Sequence, residues 1–396
     1  MDLQHEFGDP ERIAARLEFH RRIIAEEEAA AEICKQALAG PSAWWRNAIR
    51  QTDGYRTAGM VEILIQRSRI DGNAPLDALL LAEIAAEVAD SIPIQAYPYD
   101  HIAKMRGRAL RERAFMLSYI GRLPEAAAVA EHSARYLGQI AVPPPDLAKL
   151  DLVRSNIARQ QEKFGDAIRF ARDAAESFDW FGDRSGWLRA REYEAAARIS
   201  AGDHRQALDI LRSIGEYALD MTPEHRAVHL HNMGLCASEA GEFEEAARAY
   251  ANAAESFRSL GNVAYVVKCR RSAAHSLFCA GKFKEAIPLL EKVWTELEEL
   301  GMEIEAALVA LQLVEARMLI GSTDRIPDVC RTLIDRFTRA GILGSAMTAL
   351  AFLREAVAFG HATPALVNHV HEFIRDTRMV EDRPFEPPPD QVRGEL

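Results

Sequence analysis

The stretch "GEFEEAARAYANAAESFRSLGN", residues 241–262, is answered forty residues later by "GKFKEAIPLLEKVWTELEELGM", which begins at Gly281. In both, a phenylalanine stands two residues after the opening glycine (Phe243, Phe283) and an alanine three beyond that (Ala246, Ala286). Each closes with an aromatic-bearing amphipathic run and another glycine. The same turn occurs at Gly121 ("GRLPEAAAVA"), Glu162 ("EKFGDAIRFA"), Gly202 ("GDHRQALDIL") and Gly321, and the intervals from Gly202 onward are 39, 40 and 40 residues. A weaker copy lies at Gly360, and a degenerate one spans Gly72 to Ala78. A fixed period in this range is the signature of a stacked repeat.

Each unit reads as two helices joined at that turn. In "EHRAVHLHNMGLCASEA" the mixed three- and four-residue spacing of Val228, Leu230, Met233, Leu235 and Ala237 predicts the buried stripe of the first helix. In "EEAARAYANAAESF" Ala246, Tyr250, Ala253 and Phe257 predict that of the second. Gly241 can take the left-handed conformation that ends a helix, and small residues such as Gly234 and Ala246 let paired helices approach closely. Neither helix can bury its stripe alone, so neighbouring units must cover one another.

The series Gly234, Gly241, Phe243, Ala246, Tyr250 and Ala253 resembles the tetratricopeptide repeat. The unit is longer, about 40 residues against the usual 34, which adds roughly one helical turn, about 4 to 5 Å, to each helix. The resemblance covers roughly residues 55 to 376 and implies an all-α, right-handed superhelical solenoid of about eight antiparallel helix pairs. Long-period units of this kind occur in kinesin light chains and in helical sensor arrays of bacterial regulators. Residues 1–54 then form an N-terminal helical cap, with one long helix over 10–39 and the adjacent Trp44 and Trp45 packed as core. Residues 377–396 form an acidic, Pro-rich, disordered tail. "SIPIQAYPYDHIAKMRG" and "AVPPPDL" are proline-bearing connectors that interrupt the period.

Composition sets limits on function. A chain of 396 residues with 27% charged residues and 48% hydrophobic ones, many of them alanine, suits a soluble helical protein. A net charge of -11 argues against a direct nucleic-acid or anionic-membrane binder. The five cysteines are scattered without a Cys-x-x-Cys pair, which fits a reducing cytoplasm, and neither a signal peptide nor a membrane span is visible. No phosphate loop, nucleophile elbow or His-Glu-x-x-His motif appears. "HRAVHLH" spaces His225 and His229 four apart with His231 nearby, but no glutamate lies inside the spacing, so all three read as surface or groove histidines. The expectation is therefore no enzyme, no cofactor and no metal.

Charge divides between the helices of a repeat, since the first helices carry most of the cations and the second lean acidic. The resemblance implies that first helices line an inner, concave wall. Counting back from the turn glycines then aims Arg108, Arg111, Lys149, Asn156, Arg159, Arg189, Glu192, His231, Lys268, Arg271 and His275 into the groove. A partly basic groove in an acidic protein calls for a protein or peptide partner, acidic in character. The primary expectation is a non-enzymatic interaction scaffold or adaptor in cytoplasmic signalling. The alternative is a sensor array that binds a small molecule or signalling peptide and controls a transcription- or sigma-factor partner. Leu and Ile at the end faces would also allow a homodimer. Reversing Arg108, Arg111 and Arg271 to Glu is expected to abolish capture without unfolding, and the tail, acidic with Phe385 as anchor, could occupy the groove in cis.

Overall fold

The turns set the architecture. Gly241 has φ +78°, and its N–H bonds the Ser238 carbonyl at 3.1 Å while Glu242 N–H bonds the Ala237 carbonyl at 2.8 Å. This is a Schellman ending, in which a left-handed residue lets two N–H groups satisfy carbonyls that the last helical turn leaves open. The same pair of bonds closes the helices before Gly121, Gly182, Gly202, Gly261, Gly281, Gly301, Gly321 and Gly360. The turn therefore recurs about every 20 residues, between repeats as well as within them, and from residue 223 to residue 319 it separates helices of 17 residues each.

The computed structural model describes residues 10–68, 74–140, 145–217, 220–322, 326–340, 344–376 and 384–388. The degenerate repeat at 72–78, the proline run at 141–147 and most of the 377–396 tail fall wholly or partly outside them. Among the described residues the helices are α1 (Pro10–Ala37), α2 (Ser42–Arg50), α3 (Ala58–Arg67), α4 (Pro75–Ser91), α5 (Tyr99–Tyr119), α6 (Leu123–Leu137), α7 (Pro145–Gln160), α8 (Phe164–Trp180), α9 (Arg184–Ser200), α10 (His204–Gly215), α11 (Pro223–Glu239), α12 (Phe243–Ser259), α13 (Val263–Cys279), α14 (Phe283–Glu299), α15 (Glu303–Leu319), α16 (Ile326–Ala340), α17 (Gly344–Ala358) and α18 (Pro364–Asp376). The fold is all-α, and α3 to α18 are sixteen helices, the number that eight pairs require.

The chain divides into two units, Met1–Asp203 and His204–Leu396. In the first, α1 lies against α3 at Gly59, where an added Cβ would sit 2.3 Å from the Glu26 carbonyl carbon. Tyr97, from the connector before α5, locks that crossing: its hydroxyl donates to Glu26 Oε2 at 2.7 Å and accepts from Ala58 N–H at 2.9 Å. Trp45 is buried and donates to the Gly40 carbonyl at 2.9 Å, as expected of a core residue, whereas Trp44 is 67% exposed. Successive first helices α3, α5, α7 and α9 pack side by side, which puts them on the inner side of this unit's stack.

In the second unit α12 buries Ala246, Tyr250, Ala253 and Phe257 as read from the sequence. Its partner α11 differs from the prediction. Ala227, His229, Gly234, Cys236 and Ala237 are the buried residues, Val228 is exposed, and Leu230, Met233 and Leu235 are only partly covered. The reason is space, because the Tyr250 ring occupies the contact and an added Cβ on Gly234 would come within 2.8 Å of it. Side by side with α11 runs α13, and α18 folds back onto α15.

Candidate functional site

The residues expected in the groove of the first unit separate by their partners. On α5, Arg108 and Arg111 turn toward carboxylates. Arg111 Nη1 donates to Asp146 Oδ1 at 2.7 Å, Arg108 Nη2 donates to Glu62 Oε1 at 2.9 Å, and Lys104 Nζ lies 3.7 Å from Asp146 Oδ2. Asp146, in the first turn of α7, is buried. Burial alone would raise its pKa, but the charges of Arg111, Arg108 and Lys104 outweigh it and hold the carboxyl below its ordinary range. These cations tie α3, α5 and α7 together. Reversing Arg108 or Arg111 would add a carboxylate to Asp146 and Glu62, so a substitution there tests folding before it tests binding.

Lys149 and Arg189 are exposed, and neither has a carboxylate within ion-pair distance among the described residues. Arg159 Nη2 donates to Asn156 Oδ1 at 2.9 Å, so these two satisfy each other. Glu192 is unusual for a groove residue. Its Oε1 is buried without a hydrogen-bond partner among the described residues, and burial pushes the carboxyl up to about 7 against the opposing charge of Arg189. The next turn holds a cluster that the sequence reading missed: Glu194, 1% exposed, accepts from Arg172 Nε at 2.9 Å, from Arg198 Nη2 at 3.1 Å and from Arg191. Arg172 thereby ties α8 to α9, while Arg191 and Arg198 brace the carboxylate from its own helix, a structural role.

In the second unit the expected groove residues cluster around α13. From α13 project Tyr265, Lys268, Arg271 and His275, with His231 of α11 on one side and Gln312 of α15 on the other. Tyr265 is 41% exposed and stacks on Phe257 with ring centroids 4.7 Å apart, while Lys268 Nζ lies 5.4 Å from its ring centre. His231 Nδ1 is 3.6 Å from Cys269 Sγ, and its ring lies 5.5 Å from that of Tyr250. His275 Nδ1 faces Gln312 Nε2 at 2.7 Å and so accepts the amide proton, leaving its own hydrogen on Nε2, 3.5 Å from Cys279 Sγ. Burial lowers both histidine pKa values, and the nearby charges of Lys268 and Arg271 respectively lower them further. Both shifts favour the neutral rings.

The positive charge of this wall thus rests on Lys268 and Arg271, neither of which has a carboxylate within ion-pair distance among the described residues. Their neighbour Arg270 is spent on Glu296 of α14. On α15, Glu315 is pushed up by burial and by the charge of Glu372 on α18.

The histidine cluster sorts differently from expectation. His225 is exposed and His231 half-buried, but His229 is 2% exposed and belongs to the core, with neither ring nitrogen hydrogen-bonded among the described residues. Burial takes it down to about 4. Among the described residues no three His, Cys, Asp or Glu side chains converge on a metal-sized space. Burial also pushes the Cys34, Cys269 and Cys330 thiols up to about 11, and Cys236 to about 12, so none of the four is a thiolate at neutral pH. No described helix is long and apolar enough to cross a membrane.

No protein-family model matches the sequence, and no curated protein does. Solved structures do. The tetratricopeptide-repeat sensor protein of the signal-transduction ATPases with numerous domains, from Pyrococcus horikoshii, superposes with a TM-score of 0.54 at 13% identity, over 83% of this chain and 52% of that one. The apo quorum sensor NprR from B. thuringiensis gives 0.49 at 12% identity over 82% of this chain and 99% of that one. Aspartyl phosphate phosphatase F from Bacillus subtilis gives 0.47 at 12% identity, over 92% and 96%. At such identities the likeness establishes the fold alone, a tetratricopeptide-like array of helix pairs.

Proposed function

We propose that this tetratricopeptide-like protein is a recognition scaffold without catalysis of its own, and that it holds an acidic protein or peptide segment along α11, α13 and α15 of its second unit. The observation that carries this reading is the pair Lys268 and Arg271. They are the groove cations left without carboxylates in that unit, set between an exposed tyrosine face and two neutral histidines. Unpaired cations on a partly apolar wall gain most from an anionic ligand, because each supplies a charge-assisted hydrogen bond as the ligand excludes water. The neutral rings of His231 and His275, the Tyr265 hydroxyl and the Gln312 amide add donors and acceptors that can read an extended backbone. In the first unit Lys149 and Arg189 are the corresponding free cations, whereas Arg108 and Arg111 serve the fold.

An array of short peptides of equal length, with acidic, neutral and basic compositions, tests this reading. The wild-type chain should select acidic members. Lys268→Glu with Arg271→Glu should weaken their binding about a hundredfold or more, since two charge-assisted hydrogen bonds are worth about 3 kcal/mol together. Helix content must stay unchanged by circular dichroism. Binding that is blind to peptide charge, or equal in the two proteins, would sink the assignment.

A further inference from the structure

Residues 384–388, Pro-Phe-Glu-Pro-Pro, lie against α17 and α18. The Phe385 ring sits among three others, with centroids 5.1 Å from Phe373 (edge-on at 77°), 5.6 Å from His369 and 5.8 Å from Phe352. One residue on, the Glu386 carbonyl accepts a hydrogen bond from His369 Nε2 at 2.9 Å. Pro388 lines the same depression as Thr363 and Leu366. An aromatic anchor, one backbone hydrogen bond and a proline face in succession are how helical surfaces hold extended proline-rich segments. Three of the five residues are proline, so φ is already fixed and little order is lost on docking.

We propose that the α17–α18 surface is a second peptide-docking site, specific for an extended Pro-Phe-x-Pro segment and masked in cis by the chain's own residues 384–388. The site is built to read a segment rather than merely to bury one: Phe385 alone would satisfy the apolar need of Phe352 and Phe373, yet His369 also commits a ring nitrogen to the Glu386 backbone. The cis segment is joined to α18 by a short stretch of chain, so it competes at an effective concentration on the order of millimolar. Another protein bearing the same chemistry gains access by displacing it. The residues argued to carry this site and those argued to carry the acidic-peptide surface on α13 do not overlap, so either reading can fail without the other.

The test is fluorescence anisotropy with a labelled peptide of residues 381–390, EDRPFEPPPD, titrated into the full-length wild-type chain and into full-length Phe385→Ala, Phe385→Leu and Phe385→Ala/His369→Ala chains. Phe385→Ala vacates the site, so it should bind at least about tenfold tighter than wild type. Phe385→Leu keeps an apolar side chain over Phe373 and should fall between them. Removing His369 from the vacated site should weaken binding about fivefold, the value of one hydrogen bond. A peptide with alanine in place of its phenylalanine should not bind. Equal affinity for wild type and Phe385→Ala, or no binding to a Phe385→Ala chain whose circular dichroism is native, would overturn the proposal. Sedimentation equilibrium supplies the last arm: a wild-type dimer that Phe385→Ala converts to monomer would mean the segment is exchanged between copies, which contradicts masking in cis.

Discussion

Glu162 holds the only positive φ, +60°, on a non-glycine residue among those described, at the turn position that glycine fills in the neighbouring repeats. A side chain in the left-handed region costs roughly 1 kcal/mol, and Glu162 is exposed, its side chain having no hydrogen bond or ion pair among the described residues to set against that cost. Glu162→Gly should therefore stabilise the first unit by about 1 kcal/mol and raise its melting temperature by about 2 °C, read by calorimetry. A lower melting temperature would show that the carboxylate has a stabilising role. His229 makes a second residue-scale case. Its folded pKa of about 4 lies below the ordinary 6.5, so the unfolded chain binds the proton first and stability falls as pH drops from about 6.5 toward 4. Relative to His229→Leu, the wild-type second unit should lose about 2 kcal/mol between pH 7 and pH 5 by chemical denaturation. Parallel pH curves would mean that His229 is hydrated.

At the scale of the element, repetition was legible because Ala126, Ala167, Ala207, Ala246 and Ala286 each stand five residues after a turn residue, three of them with a phenylalanine between (Phe164, Phe243, Phe283). The intervening turns, at Gly182, Gly261 and Gly301, use the same hydrogen bonds but lack that signature, so a period of about 20 residues reads as one of 40. The stripe of α11 misleads for a different reason. A helix facing a tyrosine ring buries glycine and alanine and leaves its larger apolar residues half-covered, which reverses the usual weight of the pattern. The crossing of α1 on α3 was not legible at all, since nothing local distinguishes Gly59 or Tyr97. Gly59→Ala would set a methyl group 2.3 Å from backbone that no rotamer change can clear, so α1 must shift. Amide exchange in α1 should accelerate by at least about tenfold while α7 to α9 keep their protection, with a cost of about 1 to 3 kcal/mol. Unchanged exchange in α1 would show that the crossing is looser than Tyr97 and Glu26 imply.

At the scale of the molecule, the sequence identified which helices carry the cations but could not say which cations are free. Arg111 and Asp146 are 35 residues apart and Arg108 and Glu62 are 46 apart, so each pair forms only once neighbouring repeats stack. Stacking within the first unit neutralises Arg108 and Arg111, whereas Lys268 and Arg271 of the second unit have no carboxylate within ion-pair distance among the described residues. On the proposed reading, recognition depends on which repeats spend their arginines on their neighbours and which do not. Most of the eleven groove positions read from the sequence share the polar side of first helices, yet chemistry separates them into fold-holding, self-satisfied and free groups.

The most direct measurement is amide hydrogen exchange of the full chain with and without the tightest acidic peptide from the array, at low and moderate salt. Added protection confined to α11, α13 and α15, lost in the Lys268→Glu/Arg271→Glu chain and weakened as salt screens the charges, is the predicted result. Protection on α12 and α14 instead, or protection that survives the double reversal, would contradict the assignment of the inner wall of the second unit as the recognition surface.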